Sequence, residues 1–498
     1  MRIGRREFLA AGGAVAGLAA CETVPGPRKA SRPNILFFFP DQHRFDWVGW
    51  NAAVPVPTPN LNELAARGIS FPNAIVDSPV CGPSRACLAS GSVYERCGVV
   101  NNSANFPLDR RTYYRALRES GYHVMGCGKL DLHKKDRWWG LDGRVSMEPW
   151  GFSAMIDNGG KGGGANGYRS DPPGPKDPYY AYLDSLDPPL GAMWASEIQR
   201  LGRVKWNSID HSQPPEVLDD LLRRETWWGA TDPAPLPDEA YCDNWIARNG
   251  LDLLRRAPEG KPWHLVLNFV GPHPPMDITE SMARRYRGPD RVIEGFAQPE
   301  HYDGPFPPEQ HVRIRQNYAA MIENIDRWLG VFVEELHKRE EFENTLVVYS
   351  SDHGEMLGDH SRWGKSVPYQ PAAGVPLVVA GPRIVHGRSN DAMASLIDMT
   401  ATFLDYGEAG SLEWQDGQSL RPILEGVRSD HREFSRSALT AGGNQWRFVQ
   451  DHRFKLLEGY GAETVRLFDR EKDPLEAENV AGLNPNVVER LSKLFVEA

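Results

Sequence analysis

The stretch NILFFFPDQ, residues 34–42, decides the fold class. Its apolar run predicts a strand that is buried on both faces, which is typical of a parallel sheet. Pro40 ends this strand, so Asp41 and Gln42 stand at its carboxyl end. Because open α/β sheets bind ligands at the carboxyl ends of their strands, the stretch predicts both the fold class and the edge that holds the site.

Strand and helix patterns alternate along the rest of the chain. This alternation predicts an α/β fold with a large doubly wound mixed sheet flanked by helices. Gly68 is expected to cap the first of these helices. Strand patterns lie within 122–127, 263–275, 344–355 and 375–381, and helix patterns within 58–68, 111–120 and 317–339.

Composition divides the chain into a large α/β domain, 32–425, and a small α+β C-terminal domain, 426–498. Within the first, 134–240 interrupts the alternation with tryptophans, a glycine tract and proline clusters. We expect this insertion to be largely irregular and to lie over the site, where tryptophan faces suit sugar rings. In the second, 446–459 predicts an antiparallel hairpin and 485–497 a terminal helix.

The first 25 residues are typical of an export signal and are set aside from the fold. Arg5 and Arg6 precede an apolar run too short to span a membrane, which is the pattern of twin-arginine signals. The run ends in Leu-Ala-Ala-Cys, so Cys21 resembles the lipidated cysteine of a bacterial lipobox; in an ordinary signal peptide it would be incidental. These features predict export to the periplasm or cell surface, with the twin-arginine translocase as a partner.

Charge and hydropathy limit the other partners of the chain. Its 498 residues carry a formal net charge of −10 and no long basic run, which argues against nucleic-acid binding through a general positive field. No other segment is apolar enough to cross a bilayer, so we expect membrane contact only through a lipid on Cys21.

The six cysteines form no C-x-x-C pair and no zinc-type spacing with histidine. Cys81 and Cys87, six positions apart, therefore do not favour a redox pair or a zinc site. If Cys21 carries a lipid, five cysteines remain, and an odd number in an exported protein suggests a special role for one of them.

Two strand ends offer ligands for a hard metal ion. Asp41 and Gln42 follow the first strand, and Asp352 and His353 follow the strand within 344–355. Each pair alone also fits a solvated strand end, but two such pairs at one sheet edge favour a shared site. Carboxylate and carboxamide oxygens favour Ca²⁺ or Mg²⁺, and an imidazole also admits Mn²⁺.

Residues 81–91, CGPSRACLASG, resemble the signature of type I sulfatases, C-x-P-S-R-x-x-L-x-[ST]-G. The resemblance implies the fold of the alkaline phosphatase superfamily and hydrolysis of sulfuric esters. It implies that a formylglycine-generating enzyme oxidises Cys81 to formylglycine. The hydrate of formylglycine would attack the sulfur atom of the ester beside a bound metal ion, for which Ca²⁺ is the first expectation. Further segments that resemble the family are 33–42, 121–129, 271–275, 350–360 and 467–481.

The resemblance also assigns tasks to single residues. Arg85, Lys129 and Lys365 would neutralise the sulfate oxygens and the charge of the transition state. His273 would protonate the leaving oxygen, and Asn102 would hydrogen-bond the sulfate. The implied metal ligands are Asp41, Gln42, Cys81, Asp352 and His353.

Two positions depart from the family pattern. Gln42 stands where many sulfatases have a second aspartate, and choline sulfatases and phosphonate monoester hydrolases resemble this chain in that respect. Asp131 stands where the family has a histidine two positions after Lys129, and His133 comes two positions later. Either His133 takes over the part of that histidine in catalysis, or Asp131 acts as a base or positions a sugar hydroxyl.

These features together predict a sulfatase that removes sulfate from a sulfated carbohydrate, because the aromatic insertion and the export signal suit a glycan. The alternatives are a phosphonate monoester or phosphodiester hydrolase on the same scaffold, which Lys129 disfavours, and a choline-sulfatase-like enzyme for a small molecule. A lipoprotein that only holds sulfated glycans is a further alternative, disfavoured by the joint presence of Cys81, Arg85 and Asp352.

Overall fold

The computed structural model of the chain describes residues 32–204, 214–287, 299, 302–441 and 445–495. The signal segment expected at 1–25, with Cys21, lies outside these ranges. The strands are β1 (Asn34–Phe38), β2 (Gly68–Ser70), β3 (Ala74–Ile75), β4 (His123–Gly128), β5 (Ala154–Asp157), β6 (Trp263–Asn268), β7 (Thr345–Tyr349), β8 (Val378–Ala380), β9 (Arg388–Ser389), β10 (Ala394–Ser395), β11 (Ser435–Leu439), β12 (Trp446–Gln450), β13 (Phe454–Glu458) and β14 (Val465–Asp469).

Helices alternate with these strands. In the described part of the chain, none is both long and apolar enough to cross a membrane. The helices are α1 (Pro59–Ala66), α2 (Cys81–Ser90), α3 (Tyr113–Glu119), α4 (Met147–Trp150), α5 (Gly160–Tyr168), α6 (Pro178–Asp184), α7 (Gly191–Leu201), α8 (Pro215–Glu225), α9 (Cys242–Arg255), α10 (Glu280–Arg287), α11 (Pro308–Lys338), α12 (Gln370–Ala373), α13 (Ile397–Tyr406), α14 (Arg421–Leu424) and α15 (Pro485–Lys493).

A mixed sheet forms the centre of the fold, with the strand order β5-β4-β6-β1-β7-β8-β2-β9. The strands from β5 to β7 in that order run parallel, and β8 is antiparallel to both β7 and β2. Side chains of β1 alternate between two apolar layers: Phe37 packs against Phe403 of α13, and Phe38 packs against Phe332 of α11. Helices therefore cover both faces, which confirms the doubly wound mixed sheet.

The insertion at 134–240 is more regular than expected, because several helices and a strand interrupt its irregular segments. It contributes the edge strand β5 and helices α4 to α8. Its glycine tract lies in α5, and this helix needs glycine because it packs closely against bulky groups. A Cβ on Gly164 would lie 2.7 Å from Asp177 Oδ2, and one on Gly162 would lie 3.2 Å from the Trp227 ring. Close packing, rather than a need for flexibility, explains these glycines.

Two element boundaries also differ from the sequence prediction. Gly68 does not cap α1 but begins β2. A Cβ on Gly68 would lie 2.1 Å from Val379 O, so the absent side chain lets β8 approach. Helix α11 begins at Pro308 rather than at 317, with the proline in its first turn, where no backbone hydrogen bond is lost.

The C-terminal segment forms a second sheet, antiparallel in the order β11-β12-β13-β14. Its strands β12 and β13 are the hairpin predicted at 446–459. Leu456 and Leu467 of this sheet are buried together with Leu491 of α15, and α15 ends at Lys493. This arrangement confirms the small α+β part of the predicted fold class, while a domain boundary at 426 remains a prediction.

Candidate active site

Side chains from separate strand ends meet at one edge of the central sheet. Cys81, the first residue of α2, is fully buried. Its Sγ lies 3.6 Å from Asp41 Oδ1, after β1, and 3.3 Å from His353 Nε2, after β7. The Nζ atoms of Lys129, after β4, and of Lys365 lie 3.8 Å and 2.8 Å from the same sulfur. The structure thus brings five of the predicted site residues together.

The local sequence explains why α2 begins at Cys81. Pro83 lies in the first turn, where its missing N–H needs no partner within the helix. The N–H of Gly82 donates to Asn102 Oδ1 over 2.9 Å, so Asn102, predicted to contact sulfate, also supports the helix start. Gly91 follows the helix with a φ of 66°, in the left-handed region. The positive end of the α2 dipole therefore lies at residue 81.

Asp41, Cys81, Asp352 and His353 form a buried cluster whose ligand atoms all lie within 4.8 Å of one another. His353 Nδ1 donates to Gly354 O over 2.9 Å, which leaves Nε2 available as a ligand atom. Carboxylate oxygens with one imidazole fit Ca²⁺, Mg²⁺ or Mn²⁺.

Gln42 extends this cluster with an amide oxygen. Its Nε2 donates to Glu355 Oε2, which leaves its Oε1 2.9 Å from Lys365 Nζ. The same ammonium lies 3.0 Å from His353 Nε2 and 3.9 Å from Asp41 Oδ1. A positive group thus sits among the atoms predicted to bind a cation, so the donor set accommodates positive charge. Sequence reasoning missed Glu355, although this acidic residue follows His353 by only two positions.

Arg85 ties the two acidic strand ends together. Its Nε donates to Asp352 Oδ2 over 2.8 Å, and its Nη2 lies 3.4 Å from Asp41 Oδ2. Its Nη1 donates to Asn268 Oδ1 over 3.0 Å and to Lys129 O over 2.7 Å. Asn268 was also missed. It is a polar residue at the end of the buried strand β6, much as Asp41 is a polar residue shortly after the buried strand β1. The guanidinium is engaged by the protein and fixes both carboxylates.

Burial and neighbouring charges set the protonation of the site. Burial alone would raise the pKa of Asp41, but Lys129 and Lys365 hold that pKa well below its usual range. Burial and Asp41 would also raise the pKa of the Cys81 thiol, but the two lysines bring it well below its ordinary value. Burial, helped by Lys365 and Lys129, places the pKa of His273 well below its usual value. The free site therefore favours a neutral His273 imidazole.

The turn after β4 gives Asp131 and His133 different partners. Asp131 Oδ2 lies 3.3 Å from Lys129 Nζ and 2.5 Å from Lys134 Nζ. His133 Nε2 instead lies 2.9 Å from Asp157 Oδ2, at the end of β5. Among the described residues, His133 makes no hydrogen bond or ion pair with another predicted site residue. Lys134 and Asp157 were missed, because nothing in the local sequence shows which side chains they meet.

Two tryptophans of the insertion border the site. The ring centroids of Trp227 and His273 are 6.0 Å apart, with the rings nearly edge to face. Trp228 Nε1 lies 3.5 Å from Glu355 Oε2. Both tryptophans are half-buried. They form an aromatic wall, Trp227 and Trp228, beside the loop that carries His273.

The loop that carries His273 is held from several directions. His273 Nδ1 donates to Pro274 O over 2.5 Å, which leaves Nε2 as the free ring nitrogen. The backbone N–H of Gly271 donates to Asp243 Oδ2 over 3.0 Å. Lys161 of α5 donates to Asp277 Oδ1 over 2.5 Å. Two buried carboxylates and an insertion lysine thus fix the loop.

Comparison with known families agrees with this geometry. The family described as Sulfatase matches residues 33–409, which is more than half of the chain. The chain belongs to the sulfatase family. A second family description, the C-terminal part of N-sulphoglucosamine sulphohydrolase, matches 358–496. The chain is therefore an enzyme of the sulfatase family, as the resemblance of residues 81–91 implied.

Curated relatives and solved structures are similar to the sulfatase over nearly its whole length. An arylsulfatase of Clostridium perfringens is 24% identical over 467 residues, 90% of each chain. A choline-sulfatase of Rhizobium meliloti is 27% identical over 472 residues, 90% of this chain and 82% of its own.

Two solved structures share the fold of the sulfatase. A phosphonate monoester hydrolase from Silicibacter pomeroyi has a TM-score of 0.71 and 23% identity, over 93% of this chain and 94% of its own. A protein in complex with its substrate, D-glucosamine-2-N,6-O-disulfate, has a TM-score of 0.68 and 18% identity, over 94% of this chain and 97% of its own. At these identities the likeness shows the fold alone.

Proposed function

We propose that the sulfatase removes sulfate from a sulfated carbohydrate by hydrolysing a sulfuric ester. The observation that carries the proposal is the position of Cys81 at the start of α2, with the ammonium groups of Lys129 and Lys365 beside its sulfur. A sulfate group placed against residue 81 would meet two cations and the positive end of a helix dipole. The aromatic wall offers an apolar face for a sugar ring. The relative crystallised with a glucosamine disulfate gives further support.

The proposal includes two groups that complete the chemistry of residue 81. A divalent cation, Ca²⁺ first with Mg²⁺ or Mn²⁺ as alternatives, would be held by the buried donor cluster and Gln42. A formylglycine-generating enzyme would oxidise Cys81 to formylglycine. Together these groups supply an oxygen nucleophile at neutral pH and draw charge from the sulfate. The fit rests on the donor set itself, which already accommodates the Lys365 ammonium.

In this proposal, side chains of the protein bind the sulfate group and supply a proton to the leaving oxygen. Lys129 and Lys365 would bind sulfate oxygens, while Arg85 keeps the two acidic strand ends in position. His273 Nε2 would hold the proton that the leaving oxygen receives. Burial and then the two lysines lower the pKa of His273, so a bound sulfate that offsets the charge of the lysines favours the protonated imidazole when it is needed.

Three further positions keep the roles that the sequence suggested for them. Asn102 and Asp131 would contact the substrate, and His133 is a candidate for a catalytic role. The contact between Asp131 and Lys129 supports a role for Asp131 in contacting the substrate. The bond from His133 to Asp157 makes that histidine the weaker candidate.

The proposed place of action is outside the cytoplasm, in the periplasm or at the cell surface. The support is the sequence of the first 25 residues, with Arg5, Arg6 and the lipobox-like end at Cys21. The twin-arginine translocase would carry the folded enzyme, and a lipid on Cys21 would be its membrane anchor. A position at the cell surface suits an enzyme that acts on glycans too large to enter the cell.

A phosphonate monoester or phosphodiester hydrolase is the second candidate, because a phosphonate monoester hydrolase shares the fold with a TM-score of 0.71. A choline-sulfatase-like enzyme is the third, since such an enzyme is 27% identical. Lys129 separates the first candidate from the second, because a sulfate monoester presents three free oxygens to neutralise and a phosphodiester presents two.

The deciding experiment compares 4-nitrophenyl sulfate with bis(4-nitrophenyl) phosphate and 4-nitrophenyl phenylphosphonate, using enzyme coexpressed with a formylglycine-generating enzyme. We expect kcat/KM for the sulfate ester to exceed both phosphorus esters by at least about tenfold. Faster hydrolysis of either phosphorus ester would refute the proposal. Choline sulfate and a panel of sulfated saccharides then separate the two kinds of sulfatase.

Peptide mass analysis tests the proposed modifications of the same sample. The peptide that carries residue 81 should be lighter by about 18 Da in active enzyme, as expected for conversion of a thiol to an aldehyde. An unmodified thiol in every active preparation would contradict the formylglycine step, and Cys81→Ala should abolish activity. The N-terminal peptide of the mature chain reports whether residue 21 carries a lipid.

A further inference from the structure

The turn after β4 carries charges of alternating sign that lead away from residue 81. We call Lys129, Asp131 and Lys134 the charge ladder. Lys129 Nζ lies 3.8 Å from Cys81 Sγ and 3.3 Å from Asp131 Oδ2, and the same carboxylate oxygen lies 2.5 Å from Lys134 Nζ. The exposed fraction of the side chain is 5% for Lys129, 0% for Asp131 and 22% for Lys134. The ladder therefore runs from the reacting position toward solvent.

Lys134 is the least engaged of the cations near the site. Among the described residues, the only hydrogen-bond partner of its ammonium is the Asp131 carboxylate. Lys129, by contrast, contacts both Asp41 and Asp131. Because an ammonium can donate three hydrogen bonds, Lys134 keeps donors for a ligand.

Asp131 keeps an acceptor for a ligand. Its Oδ1 is buried and has no hydrogen-bond partner among the described residues. An ionised oxygen buried in this way is costly unless something satisfies it, and native proteins contain few such atoms. A hydroxyl or amide N–H of a bound molecule would provide the missing hydrogen bond. The same pair thus offers an acceptor at Asp131 and a cation at Lys134.

The backbone of the turn is fixed before any ligand binds. Asp131 has a φ of 59°, in the left-handed region. On one side, Leu130 N donates to Asp157 Oδ1 over 2.9 Å. On the other side, Lys135 N donates to Asn105 Oδ1 over 3.0 Å. A turn anchored at both ends holds its charged pair in one arrangement, which lowers the entropic cost of binding.

We propose that Lys134 and Asp131 form a subsite for substituents next to the ester that is cleaved. Lys134 binds a second sulfate group of the same sugar, and Asp131 accepts a hydrogen bond from a hydroxyl or amide between the two sulfates. The inference rests on the proposed function, because it assumes a sulfate ester at residue 81. Since 22% of the Lys134 side chain is exposed against 5% for Lys129, the anion that Lys134 binds lies on the solvent side of the sulfate that leaves. The preferred substrate is then a multiply sulfated saccharide.

The test uses mature enzyme that turns over 4-nitrophenyl sulfate in the presence of two competitors. N-acetyl-D-glucosamine 6-O-sulfate and D-glucosamine 2-N,6-O-disulfate share the 6-O-sulfate and differ in whether the 2-nitrogen carries a neutral acetyl group or a second sulfate. For the wild-type enzyme, we expect the inhibition constant of the disulfate to be at least about tenfold lower. Lys134→Met should bring the two constants within about twofold of each other, and Lys134→Arg should keep them apart. Lys135→Met, an exposed lysine on the same turn, is the matched control and should keep the wild-type ratio.

The possible outcomes separate this inference from the function on which it rests. Equal inhibition constants for the wild-type enzyme, or an unchanged ratio in Lys134→Met, would overturn the subsite. Failure of the wild-type mature enzyme to hydrolyse 4-nitrophenyl sulfate would overturn the proposed function instead. Should Lys134→Met unfold because Asp131 loses a partner, the double variant Lys134→Met/Asp131→Asn removes both charges and should show the same loss of discrimination.

Discussion

The two sides of the site around residue 81 differ in how the protein pairs their buried ionisable groups, although neutral atoms such as Asn268 Nδ2 and Ser84 Oγ lack a partner among the described residues on the strand-end side too. On the strand-end side, Asp352 accepts from Arg85 Nε over 2.8 Å and from Gln42 N over 3.0 Å, and Asp41 contacts Arg85 and Lys129. On the turn-and-insertion side, Asp131 Oδ1, His133 Nδ1 and Trp227 Nε1 are buried and lack a hydrogen-bond partner among the described residues.

This difference separates positions that the protein fixes by itself from positions that a ligand completes. Buried charges that pair with each other keep their geometry in the free enzyme, which is how a reacting group is held ready. Buried polar atoms without partners lose free energy until a bound molecule supplies the hydrogen bond. We therefore propose that the strand-end side holds the chemistry and that the turn-and-insertion side, called the recognition side below, binds the rest of the substrate.

The largest expected effect belongs to His273, which lies where the two sides meet. His273→Asn should lower kcat/KM for a sulfated sugar by about 10²–10³-fold, because the sugar oxygen needs a proton to leave. The loss for 4-nitrophenyl sulfate should be much smaller, since nitrophenolate leaves without one. Measured kcat/KM values on both substrates check this, with His123→Asn, a half-buried histidine at the start of β4, as the control. Equal losses on both substrates would remove His273 from proton transfer.

The next effect tests whether the insertion supports the chemistry. Lys161 Nζ lies 2.5 Å from Asp277 Oδ1 and 3.5 Å from Pro275 O, close to His273 in the chain. Lys161→Met should lower the free energy of unfolding by about 3 kcal/mol, because it leaves a buried carboxylate unpaired. It should lower kcat about tenfold with little change in KM, because the loop that holds His273 shifts.

A double variant distinguishes support of the loop from simple stabilisation. Lys161→Met/Asp277→Leu removes both buried charges and should recover most of the stability, measured by chemical denaturation, while kcat stays low. Full recovery of kcat would show that Lys161 matters for stability alone. Lys261→Met, at an exposed lysine, should match the wild-type enzyme in both measurements.

The smallest effect concerns the charge of Asp131 on the recognition side. Burial would raise the pKa of Asp131, but Lys129 and Lys134 lower it to about 2. A folded-state pKa below the unfolded value stabilises the protein above the unfolded pKa, near 4, and this contribution is lost as pH falls from about 4 to 2. Asp131→Asn should therefore cost about 2 kcal/mol at pH 7.

Denaturation of both proteins at several pH values checks this expectation. The difference in free energy of unfolding between wild type and Asp131→Asn should narrow as the pH falls from about 4 to 2. A difference that is independent of pH would mean that Asp131 contributes through its shape and not its charge.

The residues of the strand-end side could be predicted from the sequence, because each of them belongs to a short local pattern. An apolar run that ends in polar residues predicts the end of a buried strand within a few positions, as at Asp41 and Asp352. The motif at 81–91 likewise identifies, from adjacent residues, the segment that carries Cys81. The parallel sheet then brings these ends together without further information. The doubly wound fold was predictable for the same reason.

The recognition side was not predictable, because nothing in the local sequence shows which of its side chains meet. Lys134 meets Asp131 only three positions away, across a turn in which Asp131 has a left-handed φ of 59°, and His133 meets Asp157 in the edge strand β5. The glycines of α5 looked like a flexible tract, whereas their role is to let Trp227 and Tyr180 pack closely. Such choices depend on the shape of a neighbour, which periodicity and composition do not contain.

All ten residues of α2 are buried, and Cys81 has no exposed surface. An enzyme that oxidises Cys81 must take the surrounding peptide into its own active site, which a packed helix does not allow. If Cys81 is oxidised as proposed, this step therefore has to precede the packing of α2, and oxidation and folding compete in time. A chain that folds first would keep its thiol for as long as it stays folded, so the proportion of active enzyme would depend on the relative rates of these two steps.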